Sequence, residues 1–108
     1  MAEQTFDCPI AASLSVIGGK WTILVLWNLM EHPMRTGELR RAVGEVSEKM
    51  LIRTLRDLEG HGMVERIQYP EVPPRVEYKL THKAELLLPA LKALCDWGTE
   101  HSGLYRAA

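Results

Sequence analysis

Few groups in this chain could do chemistry, and the most regular set is cationic: Lys49, Arg53 and Arg56 recur at steps of four and three residues. At helical pitch those steps place three positive side chains on one face, an arrangement suited to phosphates and base edges rather than to making or breaking bonds. Cys8 is the other candidate. It precedes Pro9, which suits the first position of a helix, so the thiol falls at a helix N-terminus, a setting that favours reactive cysteines. The competing reading makes Cys8 a small apolar residue buried between two chains.

Catalytic groupings are missing from the sequence. His32, His61, His82 and His101 are scattered one to an element, with no HExxH or CxxC spacing, no Gly-rich phosphate loop after a strand and no paired carboxylates in an apolar setting. Each histidine is expected at the surface or at a helix cap. The chain is therefore expected not to be an enzyme and to use no metal or cofactor.

The cations lie within Ser47 to Gly62 (SEKMLIRTLRDLEGHG), which has the marks of a complete helix: Ser47 as N-cap, Glu48 in the first turn, and Gly60 and Gly62 as stop signals. Leu51, Leu55 and Leu58 form one buried stripe, leaving Lys49, Ile52, Arg53 and Arg56 around the outer face. Thr36 to Val43 (TGELRRAV) is a shorter helical pattern with Thr36 as its N-cap, and only Gly44, Glu45 and Val46 separate the two. Two helices joined in this way have the dimensions of a helix-turn-helix, whose second helix lies in a DNA major groove. An ordinary helical hairpin has the same spacing.

After Gly62 the periodicity drops to two. Arg75, Glu77 and Lys79 alternate with Val76, Tyr78 and Leu80, and Val64 to Tyr69 reads as the partner strand. Pro70, Pro73 and Pro74 make the connection a stiff, protruding loop, so the hairpin reads as a wing with Arg75 at its edge, placed to meet phosphates or, alternatively, to pair with a wing carboxylate. Upstream, a first helix follows Cys8 and breaks at Gly18-Gly19. A second, KWTILVLWNLM, spreads Trp21, Leu24, Val25, Trp27 and Leu29 around most of its circumference and belongs in the core. The fold expected is mostly α with a small β-wing: helices at about 9–17, 20–31, 36–43 and 47–60, a hairpin at 64–80 and a terminal helix at 82–101.

A chain of 108 residues suits one domain and buries a modest share of its surface, so burial in an oligomer would add stability. No apolar run approaches the roughly 18 residues a membrane span needs, and the N-terminus lacks the basic segment and apolar core of a signal peptide, so a cytoplasmic location and no membrane contact are expected. Cys8 and Cys95 have neither metal nor redox spacing, and Cys95 reads as core. The formal net charge of -1 argues against nucleic-acid binding and favours the alternative of a winged-helix module that binds protein. Its distribution argues the other way. Residues 33–83 carry ten Lys and Arg against eight acids, and the flanks three against six.

In the terminal helix Ala84, Leu87, Leu88, Leu91, Leu94 and Cys95 line one side, and Leu86, Ala90, Ala93 and Trp97 another. A helix apolar on two sides in so small a domain is expected to pack on its own core and on a second chain, the alternative being complete burial within the monomer, and Pro89 must kink or interrupt it.

These residues together carry a resemblance. Cys8-Pro9, Gly18-Gly19-Lys20-Trp21, Glu38-Leu39-Arg40, the run KMLIRTLRDLEGHG from Lys49, Val64-Glu65-Arg66, the wing from Tyr69 to Tyr78, Leu80-Thr81, Pro89 and Trp97 resemble the HxlR-type family of bacterial winged-helix transcriptional regulators, relatives of the MarR group. Thr36, Gly37 and Ala84 depart from its usual pattern. The resemblance implies a cytoplasmic homodimer on a near-palindromic double-stranded operator, joined through terminal helices, with Leu87, Leu91, Leu94 and Trp97 as interface residues. The DNA-binding set expected is Thr36, Ser47, Lys49, Met50, Arg53, Arg56 and Arg75. The resemblance also implies that Cys8 senses a small electrophile or oxidant, as the equivalent cysteine does in members of the family.

Overall fold

The computed structural model describes residues 4–107. Its elements are α1 (Pro9–Ile17), α2 (Lys20–Leu29), α3 (Thr36–Val43), α4 (Glu48–Gly60), β1 (Val64–Tyr69), β2 (Arg75–Leu80), α5 (His82–Glu85) and α6 (Leu88–His101). This is the winged-helix order that the periodicities predict. The axes of α1 and α2 are bent 77° apart at Gly18-Gly19. Gly18 is needed there, because a Cβ would collide with the Leu14 carbonyl to which its own N–H donates.

Three boundaries differ from expectation. Helix α2 ends at Leu29 rather than residue 31, closing on a tight turn in which Met30 N donates to Trp27 O. Thr36 is the first residue of α3 rather than its N-cap; that place belongs to Arg35, whose backbone N–H donates to Glu38 Oε1 at 3.1 Å. The single helix expected over 82–101 is two helices, α5 and α6, separated at Leu86 and Leu87. Pro89 is the cause: it has no N–H to donate to Glu85, and its ring would clash with that carbonyl. Thr81 Oγ1 caps α5 by accepting from Ala84 N at 3.3 Å.

The core lies between α2, α3, α4 and the inner face of the hairpin. Leu51, Leu55 and Leu58 of α4 meet Val25, Leu26 and Leu29 of α2, Leu39 of α3, and Val46, Met63, Val64, Tyr78, Ala84 and Leu91. Leu26, not singled out by the sequence pattern, is among the deepest, whereas Trp21, Leu24 and Trp27 are only half-buried. The hairpin is antiparallel, from Val64 opposite Leu80 to Tyr69 opposite Arg75. Met34 adds a short third edge through reciprocal backbone bonds with Tyr78 of 3.0 and 2.8 Å, anchoring the wing to the entry of α3. Thr81 Oγ1 donates to Gly62 O at 2.6 Å and Lys83 Nζ to His61 O at 2.7 Å, fixing the end of α4 to the far end of the hairpin.

Cys95 departs from its expected place in the core and is exposed on α6. Helix α1 has no buried residue although it is mostly apolar. No single helix among the described residues is long and apolar enough to cross a membrane.

Leu55 is fully buried at the centre of the α4 face. Leu55→Ala is expected to cost about 2 to 5 kcal/mol, read as a lower urea midpoint; a loss under about half a kilocalorie would place the helix face wrongly.

Candidate nucleic-acid interface

The α3–turn–α4 unit is built by local chemistry. Helix α3 stops at Gly44, whose φ of 105° and ψ of -120° suit glycine and would strain any other residue. Val46 then turns into the core beside Leu39. Arg40 Nε donates to the Val46 carbonyl at 3.2 Å and so bridges the turn. Ser47 Oγ accepts from Met50 N at 3.1 Å, capping α4, and Thr54 Oγ1 donates to Met50 O at 2.8 Å, which lets a buried hydroxyl sit among leucines.

Burying one face of α4 leaves the other to solvent. Lys49, Arg53 and Arg56 are exposed, Ile52 is half-buried between them, and Glu48 and Asp57 border the same shallow surface. None of the three cations forms an ion pair with another described residue. Their charge is uncompensated at contact range, and the first two stand at the N-terminal half of the helix. Met50 is exposed at the helix start, and Thr36 is half-buried at the start of α3.

Arg75 has a different setting. Its Nε lies 2.9 Å from Glu71 Oε2, and its guanidinium carbon lies 4.0 Å from the centre of the Tyr69 ring. Tyr69 in turn donates its hydroxyl to Glu77 Oε1 at 3.2 Å. Lys79, on the same strand, lies 3.6 Å from Glu65 across the ladder. Arg75 and Lys79 of β2 are thus paired within the hairpin, whereas Arg66 of β1 reaches only the neutral Gln68 Oε1 at 3.5 Å and the α4 cations have no acidic partner among the described residues. Sequence reasoning missed the Arg40 bridge and the Met34 edge, which have no local signal; the pairing of Arg75 with a wing carboxylate is the alternative left open there, and Glu71, four residues earlier, is that carboxylate.

The terminal residues lie elsewhere. Cys8 is the N-cap of α1 and is exposed, and its side chain makes no capping bond. Leu94 and Trp97 are more than half exposed, whereas Leu87 is half-buried and Leu91, 4% exposed, is taken up by the protomer's own core. Of the four residues expected at a dimer interface, Leu91 has thus little surface left to offer. Ile10, Leu14, Leu86, Leu104 and Tyr105 are exposed as well, so most of the large apolar side chains left in solvent belong to the two ends of the chain.

Residues 16–104 match the sequence model of the HxlR-like helix-turn-helix family. The chain is 50% identical over 95 residues, 88% of its length and 80% of the relative's, to YkvN of Bacillus subtilis, named an uncharacterised HTH-type transcriptional regulator. It superposes on the crystal structure of a MarR-family transcriptional regulator from Porphyromonas gingivalis W83 with a TM-score of 0.85 and 42% identity, covering 94% of this chain and 99% of that one. The redox regulator HypR in its oxidised form is similar at a TM-score of 0.84 and 36% identity, covering 94% of this chain and all of the other.

Proposed function

This chain belongs to the HxlR-like helix-turn-helix family of transcriptional regulators, and from that footing we propose that it works as a homodimer reading a near-palindromic operator through α4, with the wing as a backbone clamp. The regulators it resembles are not enzymes, in keeping with the scattered histidines. The observation that carries the reading is the unpaired row of Lys49, Arg53 and Arg56 on the solvent face of the second helix. Lys49 and Arg53 reach base edges, since the N-terminal half of a recognition helix is the part that enters the groove. Arg56 and Arg75 meet phosphates, and Thr36, Ser47 and Met50 complete the contact set. Net charge matters less than this local field.

Dimerisation is supported by the exposed apolar ends. A protomer with an apolar α1 free of buried residues, and with Leu94 and Trp97 in solvent, has an unmet need for burial. Its radius of gyration, 15.1 Å, exceeds the roughly 13 Å of a compact domain this long. A twofold axis through the terminal helices sets two recognition helices about 34 Å apart, one turn of DNA. Sensing through Cys8 is supported by its exposure at the start of α1, at the edge of that assembly surface, and by the similarity to a regulator named for redox control.

Titration against a duplex obtained by in vitro selection and against a random-sequence duplex tests the contact assignment. Arg53→Ala should cost on the order of 1 to 3 kcal/mol on the selected duplex and much less on the random one, so preference falls. Arg75→Ala should weaken both about equally and reduce the salt slope by roughly one per lost phosphate contact, about two in a dimer. An unchanged preference in both Lys49→Ala and Arg53→Ala would remove α4 as the reader. A parent protein that binds no duplex with a salt slope would instead be a protein-interaction module.

Sedimentation at micromolar concentration should show a dimer, and a folded monomer there would overturn the assembly. A mild oxidant or a quinone should weaken DNA binding by the parent and leave Cys8→Ser unaffected, with Cys95→Ser showing whether a second thiol takes part. Equal sensitivity of the parent and Cys8→Ser would make Cys8 a structural residue.

A further inference from the structure

The geometry points to Glu71 as a built-in substitute for a DNA phosphate, which occupies Arg75 in the free protein and so sets how strongly the wing holds the DNA backbone. This inference rests on the DNA-binding reading above and assigns a role to a residue which that reading leaves unused.

Arg75 is held on two sides, by the Glu71 carboxylate at 2.9 Å and by the Tyr69 ring at 4.0 Å, yet its side chain keeps 31% of its exposure. The contact lies at Nε and is a close approach of charges without hydrogen-bond geometry, so what a carboxylate and a phosphate oxygen compete for is the guanidinium charge. Glu71 does not owe its position to the ion pair: its backbone N–H donates to the Tyr69 carbonyl at 2.8 Å, and Pro70, Pro73 and Pro74 restrict the loop around it. The loop is therefore stiff without the contact, and what the carboxylate changes is the availability of Arg75. Tyr69 faces Arg75 across the ladder and is itself held by Glu77, so the aromatic platform remains when Glu71 lets go.

Binding then becomes an exchange. When a phosphate takes the Arg75 fork, the Glu71 charge is released next to a polyanion, and the gain from one new ion pair is partly cancelled by the loss of the old one. The brake acts through the backbone and carries no sequence information, so it lowers affinity for all DNA alike and leaves preference to the unpaired cations of α4.

Glu71→Gln tests this by removing the charge at nearly constant shape on an exposed loop. Affinity should rise about two- to fivefold for both the selected and the random duplex, the range an exposed ion pair can account for, with a salt slope no shallower than the parent's. In an Arg75→Ala background the same substitution should change neither. Weaker binding by Glu71→Gln would mean that the carboxylate positions Arg75 for DNA and would overturn the brake. An equal gain with and without Arg75 would mark a general charge effect and overturn it too. If the parent itself shows no salt-dependent binding to either duplex, the DNA-binding reading fails first, and that result is distinct from both of these.

Discussion

Burial of Leu51, Leu55 and Leu58 fixes the rotation of α4 about its own axis, and most of what this protein presents to a partner follows from that angle. The three side chains are at most 1% exposed, locked against α2, α3 and the base of the hairpin. With that face committed, Lys49, Arg53 and Arg56 have nowhere to go but outward. The turn before the helix serves the same end: Gly44 ends α3, Arg40 holds the Val46 carbonyl, and Ser47 caps the new helix. A rotation of one residue step, about 100°, would carry leucines into solvent and cations into the core, at a cost of several kcal/mol for each misplaced group.

Charge is organised by pairing rather than by total. A chain with a formal charge of -1 presents unpaired cations on α4, while Arg75 and Lys79 of the wing sit beside Glu71 and Glu65. In the proposed reading, the division separates the contact that discriminates between sequences from the contact that holds any sequence. It also explains why composition misleads here: the sum counts acids from the whole chain, and of those described only Glu48 and Asp57 line the depression between the α4 cations.

Much of this was legible in the sequence because the governing patterns are local. The leucine spacing of α4, the Ser47 cap, the alternation in β2 and the proline loop each follow from short-range rules, and each appears in the structure within its expected bounds. What was not legible depends on contacts between distant segments or on choices among equivalent faces. Met34 pairs with Tyr78 across more than forty residues, and nothing in MRTG announces an edge strand. Leu26 rather than the tryptophans fills the core because α3 and α4 approach that side of α2. Cys95 read as core because it shares a stripe with Leu91, yet it lies where the protomer ends. The division of 82–101 at Pro89 was foreseeable as an interruption, and the cap at Thr81 that makes α5 a separate turn was not.

The terminal segments leave apolar side chains in solvent, apart from the cationic face of α4, and the proposed function gives the first to a second copy and the second to DNA. The most direct test of that division follows backbone amide chemical shifts as the protein is titrated with the selected duplex. The largest changes should fall at Ser47, Lys49, Arg53 and Arg56 and at the wing around Arg75, with α6 nearly silent. Changes concentrated on α1 and α6, with α4 unmoved, would contradict the assignment of α4 as the surface that reads DNA.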